Sequence, residues 1–278
     1  MKMIIRHAAG KEETKNMKSK DLRDHFLIED LMKDETIQMV YSHYDRLIIG
    51  GAVTAGKELM LETSTELKAD YFLERRELGI ILISGQGSVT VDGEKYTMKE
   101  KECLYVGRGN KSVVFNSTGK EQKAQFYFTS TPAHTVYPIK KMSISDAVSQ
   151  SLGSGDKANE RTIYKYIHPD GIKSCQLMMG FTVLSKGSIW NTMPPHLHER
   201  RMEAYFYFDL SEEDRIWHFM GESDETRHML VANHQAIISP PWSIHSGAGT
   251  NNYAFVWAMA GENQSFSDMD AVPLDKLR

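Results

Sequence analysis

The sequence predicts an all-β protein built from two similar barrels in one chain, with few short helices. Three observations predict it. Apolar segments are short and punctuated by turn signals, a polar stretch lies near the middle, and a repeat relates the two halves.

The strand pattern comes first. Gly79 to Ser84 is an apolar run closed by Gly85 and Gly87, and Ser88 to Val91 then meets Asp92-Gly93. A dipeptide of that kind between apolar runs is a strong hairpin signal. Leu104 to Val106, Val113 to Phe115 and Gln125 to Phe128 continue the pattern, as do Ala204 to Phe208, Arg215 to Phe219, Ala236 to Ile238 and Ala254 to Trp257. Such spacing argues for a sandwich or barrel rather than βαβ units. Helical signals are confined to Ser19 to Met32 and to Ser143 to Val148.

The linker comes second. Residues 140–160 are polar with a Ser/Gly-rich centre, which divides the chain into an N-terminal barrel at 1–148 and a C-terminal barrel at 149–278. The repeat supports this division. Glu74-Arg75-Arg76-Glu77 precedes an apolar run in the first half, and Glu199-Arg200-Arg201-Met202-Glu203 precedes one in the second. Cys103 to Gly109 similarly parallels Ala236 to Trp242.

Composition narrows the function. The chain has 278 residues, 41% hydrophobic and 25% charged, with a net charge of −4. That balance gives no reason to expect nucleic acid or a membrane surface, so a small-molecule partner is expected. The start lacks a signal peptide's apolar core, and no apolar run approaches the roughly 20 residues that span a bilayer. Cys103 and Cys175 are too few and too far apart for a disulfide framework or a zinc knuckle, and are expected as buried free thiols. A reducing cytoplasm is the expected compartment.

The chemistry concentrates in His196-Leu197-His198, followed after four residues by Glu203. On an extended strand, alternate side chains share a face, so both imidazoles point the same way. Two imidazoles and a carboxylate suit Zn, Fe, Mn or Ni. A further ligand is expected from a distant strand, and His245, after the turn Pro240-Pro241-Trp242, is placed to supply it. The repeat sets no histidine of the first half opposite these positions, so one divalent metal per chain is expected. The remaining histidines are expected as structural or solvated, with His228 and His234 exposed and His218 open to an interior position.

These features together resemble the two-part signature of the cupin superfamily, whose domains are double-stranded β-helix (jelly-roll) barrels. The whole chain is similar to one family of two-barrel cupins, the 5-keto-4-deoxyuronate isomerases, also called 4-deoxy-L-threo-5-hexosulose-uronate ketol-isomerases. The resemblance runs from Tyr41-Ser42-His43-Tyr44-Asp45-Arg46 to Gly261-Glu262-Asn263-Gln264. It includes YFLERRELG at 71–79, TPAHTVYP at 131–138, WNTMPPHLHERRMEAYFYF at 190–208 and ISPPWSIHSG at 238–247.

The resemblance implies zinc held by His196, His198, Glu203 and His245. It implies a hexamer, and a place in bacterial breakdown of pectin and related uronates. The implied reaction converts 5-dehydro-4-deoxy-D-glucuronate to 3-deoxy-D-glycero-2,5-hexodiulosonate, moving a carbonyl from C1 to C2. Such a reaction needs a Lewis acid for the charge on oxygen and a group that carries the proton. Tyr205 and Tyr207, expected to face inward, are the candidates for the second role. Arg161, Lys165 and Arg201 are the foremost candidates for the substrate carboxylate, with Arg200 and Arg227 behind them. Four protein ligands would fill a tetrahedral zinc site, so substrate contact requires a higher coordination number or a displaced ligand. The rival readings are a cupin dioxygenase and a non-catalytic sugar-acid-binding protein. The latter usually carries a helix-turn-helix segment, which the sequence lacks.

Overall fold

The computed structural model describes residues 2–118, 123–265 and 267–278. It divides into two compact units, one of residues 1–6, 30–147 and 166–178, the other of residues 7–29, 148–165 and 179–278. The change of unit between Ala147 and Val148 falls one residue from the division at 148/149. Segments 7–29 and 166–178, however, each belong to the unit opposite the one that division gives them.

The fold class is all-β, with two jelly-roll units. In the first unit a seven-stranded sheet runs in the order Lys2–Arg6, Thr36–Ser42, Ile48–Thr54, Ala124–Pro132, Arg76–Ser84, Cys103–Val106, Lys140–Met142. Opposite it is a four-stranded sheet ordered Leu59–Met60, Val113–Ser117, Gly87–Val91, Glu94–Met98. Alternate residues of both sheets fill the space between them, including Ile80, Leu82, Val89, Leu104, Phe115, Phe126 and Phe128. The hairpin at Asp92-Gly93 forms as expected. Both residues take positive φ (47° and 89°), the conformation that lets a two-residue turn follow the strand twist.

The second unit repeats this order except at its last edge, where the strand comes from the N-terminal segment. Its seven-stranded sheet runs Val148–Leu152, Arg161–Ile167, Met178–Leu184, Ala254–Gly261, Arg201–Phe208, Ala236–Ser239, Leu27–Ile28. Its second sheet has five strands, Glu225–Val231, Ile216–Glu222, His245–Gly249, Trp190–Leu197 and Asp270–Ala271. Place for place, Arg201–Phe208 stands where Arg76–Ser84 stands in the first unit.

Two local expectations need correction. Ser143 to Val148 is a turn leading into the strand Val148–Leu152, not a helix. Ser143 Oγ donates to the Asp146 carboxylate at 2.6 Å, and such short side-chain bonds compete with helical ones. The expected helix in Ser19 to Met32 is real but short, Ser19–Phe26. Both cysteines are free; Cys103 is buried, while Cys175 is only half-buried. Among the described residues, no helix is long and apolar enough to cross a membrane.

Candidate metal centre

Two strands of the five-stranded sheet bring the histidines together. His196 lies on Trp190–Leu197 and His245 opens His245–Gly249, and the two are direct cross-strand partners. The turn before His245 is closed by Ser243 N–H donating to the Pro240 carbonyl at 3.0 Å. His198 follows His196 by two residues, just past the strand end. Glu203 comes from the facing sheet, on Arg201–Phe208, paired with Ser239 on one side and Met259 on the other.

One donor atom from each of the four residues lies within 4.8 Å of all the others. His196 Nε2 is 3.2 Å from His198 Nε2 and 3.0 Å from His245 Nε2. The Glu203 carboxylate approaches His198 Nε2 at 3.3 Å and His245 Nε2 at 3.1 Å. His198, Glu203 and His245 are buried, and Glu203 Oε2 has no hydrogen-bond donor.

These observations fit a cation. The outer nitrogens of two rings already have oxygen acceptors: His198 Nδ1 faces the Asp268 carbonyl at 2.6 Å, and His245 Nδ1 faces Ser239 Oγ at 3.2 Å. Protons on those Nδ1 atoms leave both Nε2 lone pairs aimed inward at His196 and Glu203, the tautomer that outer-shell partners impose on metal-binding imidazoles. A buried carboxylate oxygen without a donor, among imidazoles presenting lone pairs, is costly unless a positive ion sits among them. Protonation of His196 or His245 does not supply that charge. Burial, then the neighbouring His198, Arg201 and Arg161, lower the His196 pKa to about 3. Burial and His196 push His245 well below its usual value.

The cluster faces a cavity of about 260 Å³. His196, Glu203 and Tyr205 form one part of its wall, Arg161 and Ile163 another, and Phe255, Trp257 and Met259 a third. The register explains the last group, since Met259 pairs with Glu203 and Trp257 with Tyr205 across the sheet. Gly180 makes room for Trp257: a Cβ there would lie 2.3 Å from the indole. The strand pairing of Trp190–Leu197 breaks between Asn191 and His196, and the intervening Thr192, Met193 and Pro194 line the cavity.

The remaining candidates separate clearly. Tyr205 lines the cavity; Tyr207 is fully buried outside its lining, with its hydroxyl 2.8 Å from His218 Nδ1. Burial, followed by the Glu203 charge for Tyr205 and by Tyr253 for Tyr207, raises both phenols well above their ordinary value. Arg161 lines the cavity and is half-buried. Lys165, two alternations further along the same strand, lies outside the lining and reaches Gln150 at 3.4 Å.

Arg201 is also outside the lining. It is 1% exposed and donates to the Ser265 carbonyl at 2.7 Å and the Asp268 carbonyl at 3.1 Å. Arg200 grips the Asp268 carboxylate through Nε at 2.8 and 2.9 Å, and holds that acid well below the usual carboxylate range. Arg200 and Arg201 thus fix the segment whose carbonyl orients His198. Arg227 binds the carbonyls of Lys15 and Met17.

Of the other histidines, His7, His43, His134 and His228 are exposed and His25 is half-buried. His234 is half-buried as well, against the expectation of exposure, because its ring stacks on Phe206 at 6.1 Å between centroids. His218 is fully buried.

Sequence reasoning missed Trp257, Phe255 and Met259 as cavity residues. Their strand was legible, but its pairing with Arg201–Phe208 was not. Met178, Met179, Met193 and Met202 read from sequence chiefly as core filler; Met178, Met179 and Met202 are core, whereas Met193 lines the cavity.

Comparison with known proteins places the chain in a family. Residues 26–273 match the model of the KduI/IolB family. The chain is 54% identical over 276 residues to a 4-deoxy-L-threo-5-hexosulose-uronate ketol-isomerase of Shouchella clausii, covering 99% of this chain and 100% of that protein. It is 52% identical over 277 residues to a protein of the same name from Oceanobacillus iheyensis, with the same coverage. An IolB-like protein from Salmonella typhimurium shares the fold at a TM-score of 0.73 with 14% identity, over 89% of this chain and 96% of that one.

Proposed function

The chain belongs to the KduI/IolB family, and from that premise we propose that it is a metal-dependent ketol-isomerase acting on 4-deoxy-L-threo-5-hexosulose uronate. The observation that carries this reading is 54% identity along essentially the whole chain to a protein of that name. The reaction moves one hydrogen from C2 to C1 and the carbonyl from C1 to C2, with no net redox change.

His196, His198, Glu203 and His245 would hold one divalent ion, zinc by resemblance, although the donor types also admit Mn, Fe or Ni. Bound there, the ion supplies Lewis-acid stabilisation of charge developing on substrate oxygens. The chain's own residues bind and orient the substrate, donate to its oxygens and exclude water. Arg161 is the cation of the cavity wall and takes the substrate carboxylate, as guanidinium groups do. Tyr205 keeps its proton at neutral pH, because burial and Glu203 oppose its ionisation. Its Oη therefore donates to a substrate oxygen rather than accepting a proton from carbon. Phe255, Trp257, Met259 and Met193 exclude water and lower the local dielectric, which strengthens the polar contacts. Tyr207 supports Tyr205 from behind, at 6.0 Å between ring centroids.

The same reading includes a homohexamer, a cytoplasmic location and a role in uronate breakdown from pectin, all by resemblance. Metal analysis beside a turnover assay with this ketoaldehyde tests it. Conversion to the 2,5-diulosonate, stopped by chelation and restored by the ion, is expected. Full turnover in metal-stripped protein overturns the metal role. Oxygen uptake without isomer formation overturns the isomerase.

A further inference from the structure

Three strings that carry the family resemblance are not used by the metal centre: Tyr41 to Arg46, residues 71–79 and residues 131–138. They meet around a cavity of about 230 Å³ in the first unit, to which they contribute Tyr41, Phe72, Arg75, Arg76 and Pro132. Arg76 is the unusual member. It is only 7% exposed, yet among the described residues no carboxylate lies within ion-pair distance of its guanidinium. Its Nε donates to Ser130 Oγ at 3.0 Å, and its Nη2 donates to the carbonyls of Arg46 at 2.6 Å and Ser130 at 2.7 Å. Nη1 has no hydrogen-bond partner among the described residues, and the Tyr41 ring lies 5.8 Å from the guanidinium carbon.

The adjacent acid Glu77 acts on this charge only through space, with no hydrogen bond between them. Both Glu77 oxygens are committed to other donors, namely Tyr105, Thr131 and the amides of Cys175, Gln176 and Leu177. A buried guanidinium held only by neutral acceptors is expensive, and an anion in the adjoining space removes much of that cost. Burial lowers its pKa to about 10, so the group still carries its charge at neutral pH. Arg75 adds a second cation to the wall; its side chain is 53% exposed, with Nη1 3.8 Å from Glu74 Oε1 and Nη2 donating to the carbonyls of Leu67 and Lys68. Leu67, Ala69, Phe72 and Pro132 supply an apolar face.

We propose that this cavity is a binding site for a small organic carboxylate, taken by Arg76 and Arg75 with its carbon skeleton against Phe72 and Pro132. The volume admits a sugar acid or a compound of similar size and is below the usual range of about 300–1,000 Å³ for larger ligands. Glu66 on the rim adds negative charge, which disfavours a phosphate dianion relative to a monocarboxylate.

Titration calorimetry on the metal-loaded full chain tests the site, with D-galacturonate and inorganic phosphate as separate probes. Wild type is expected to bind one more galacturonate per chain than Arg76→Gln, with turnover of the isomerase substrate unchanged. Arg75→Gln, at the exposed position, is expected to weaken that extra binding about tenfold. Equal stoichiometry in wild type and a folded Arg76→Gln overturns the site. If Arg76→Gln does not fold, unchanged galacturonate affinity in Arg75→Gln overturns it. Phosphate bound in place of galacturonate overturns the carboxylate assignment.

Discussion

Glu77 and Glu203 sit near the starts of matching strands, each strand fifth in a seven-stranded sheet. Both carboxylates are buried, and their surroundings are opposite. Glu77 accepts from Tyr105 Oη at 2.8 Å, from Thr131 Oγ1 at 3.0 Å and from three successive backbone amides at 2.7 to 2.9 Å. Glu203 faces imidazole nitrogens, and one of its oxygens has no donor at all. One scaffold position is thus a structural anchor in the first unit and, on the proposed reading, a coordinating group in the second. A burying strand tolerates a carboxylate only when something supplies positive potential, and the two units supply it differently.

The sharpest way to break this contrast is to remove the histidines. His196→Ala with His245→Ala is expected to lower turnover about 10⁴-fold and reduce bound metal from one per chain to near zero. Circular dichroism should be unchanged; retained activity would remove the contrast's functional meaning. Next comes the anchor. Glu77→Gln puts an NH₂ group against amide donors and should destabilise by about 3–5 kcal/mol in denaturant titration without altering metal content. Glu203→Gln should abolish metal binding yet leave the metal-free protein no less stable, since it removes an uncompensated charge. Comparable destabilisation by both would show that the carboxylates do the same work.

A smaller effect is expected from Arg161→Met. It should lower kcat/KM about a hundredfold, chiefly through KM, with the metal retained; an unchanged KM would remove Arg161 from substrate binding. The smallest concerns acid. Burial lowers the His218 pKa to about 3, so below about pH 6.5 the unfolded chain binds a proton that the folded one refuses. Stability of the metal-free protein should therefore fall as pH drops from about 6.5 towards 3. His218→Phe should flatten that slope by one proton's worth, read from urea midpoints against pH. An unchanged slope would mean that His218 is charged in the fold.

Much of the centre was legible because its grammar is local. His196 and His198 share a face by strand alternation, and Glu203 follows within one turn. The Pro240-Pro241 turn announced His245 without revealing its partner. Arg161 and Arg201 could not be told apart for the opposite reason. Arg201 carries the same side chain as Arg161, and only the position of the carbonyls of Ser265 and Asp268 decides that it holds the chain rather than the substrate.

By itself the sequence determined the all-β class, the repeated strand pattern and the four candidate donor residues, because alternation, turn chemistry and ligand type are written in neighbouring residues. Tertiary structure alone decided three other things: that His196 and His245 pair across a sheet, that Met259 and Trp257 stand beside Glu203 and Tyr205, and that Glu77 is saturated while Glu203 is not. Those depend on which distant strands become neighbours and in what register, a choice made by burial of the whole core rather than by any short segment of chain.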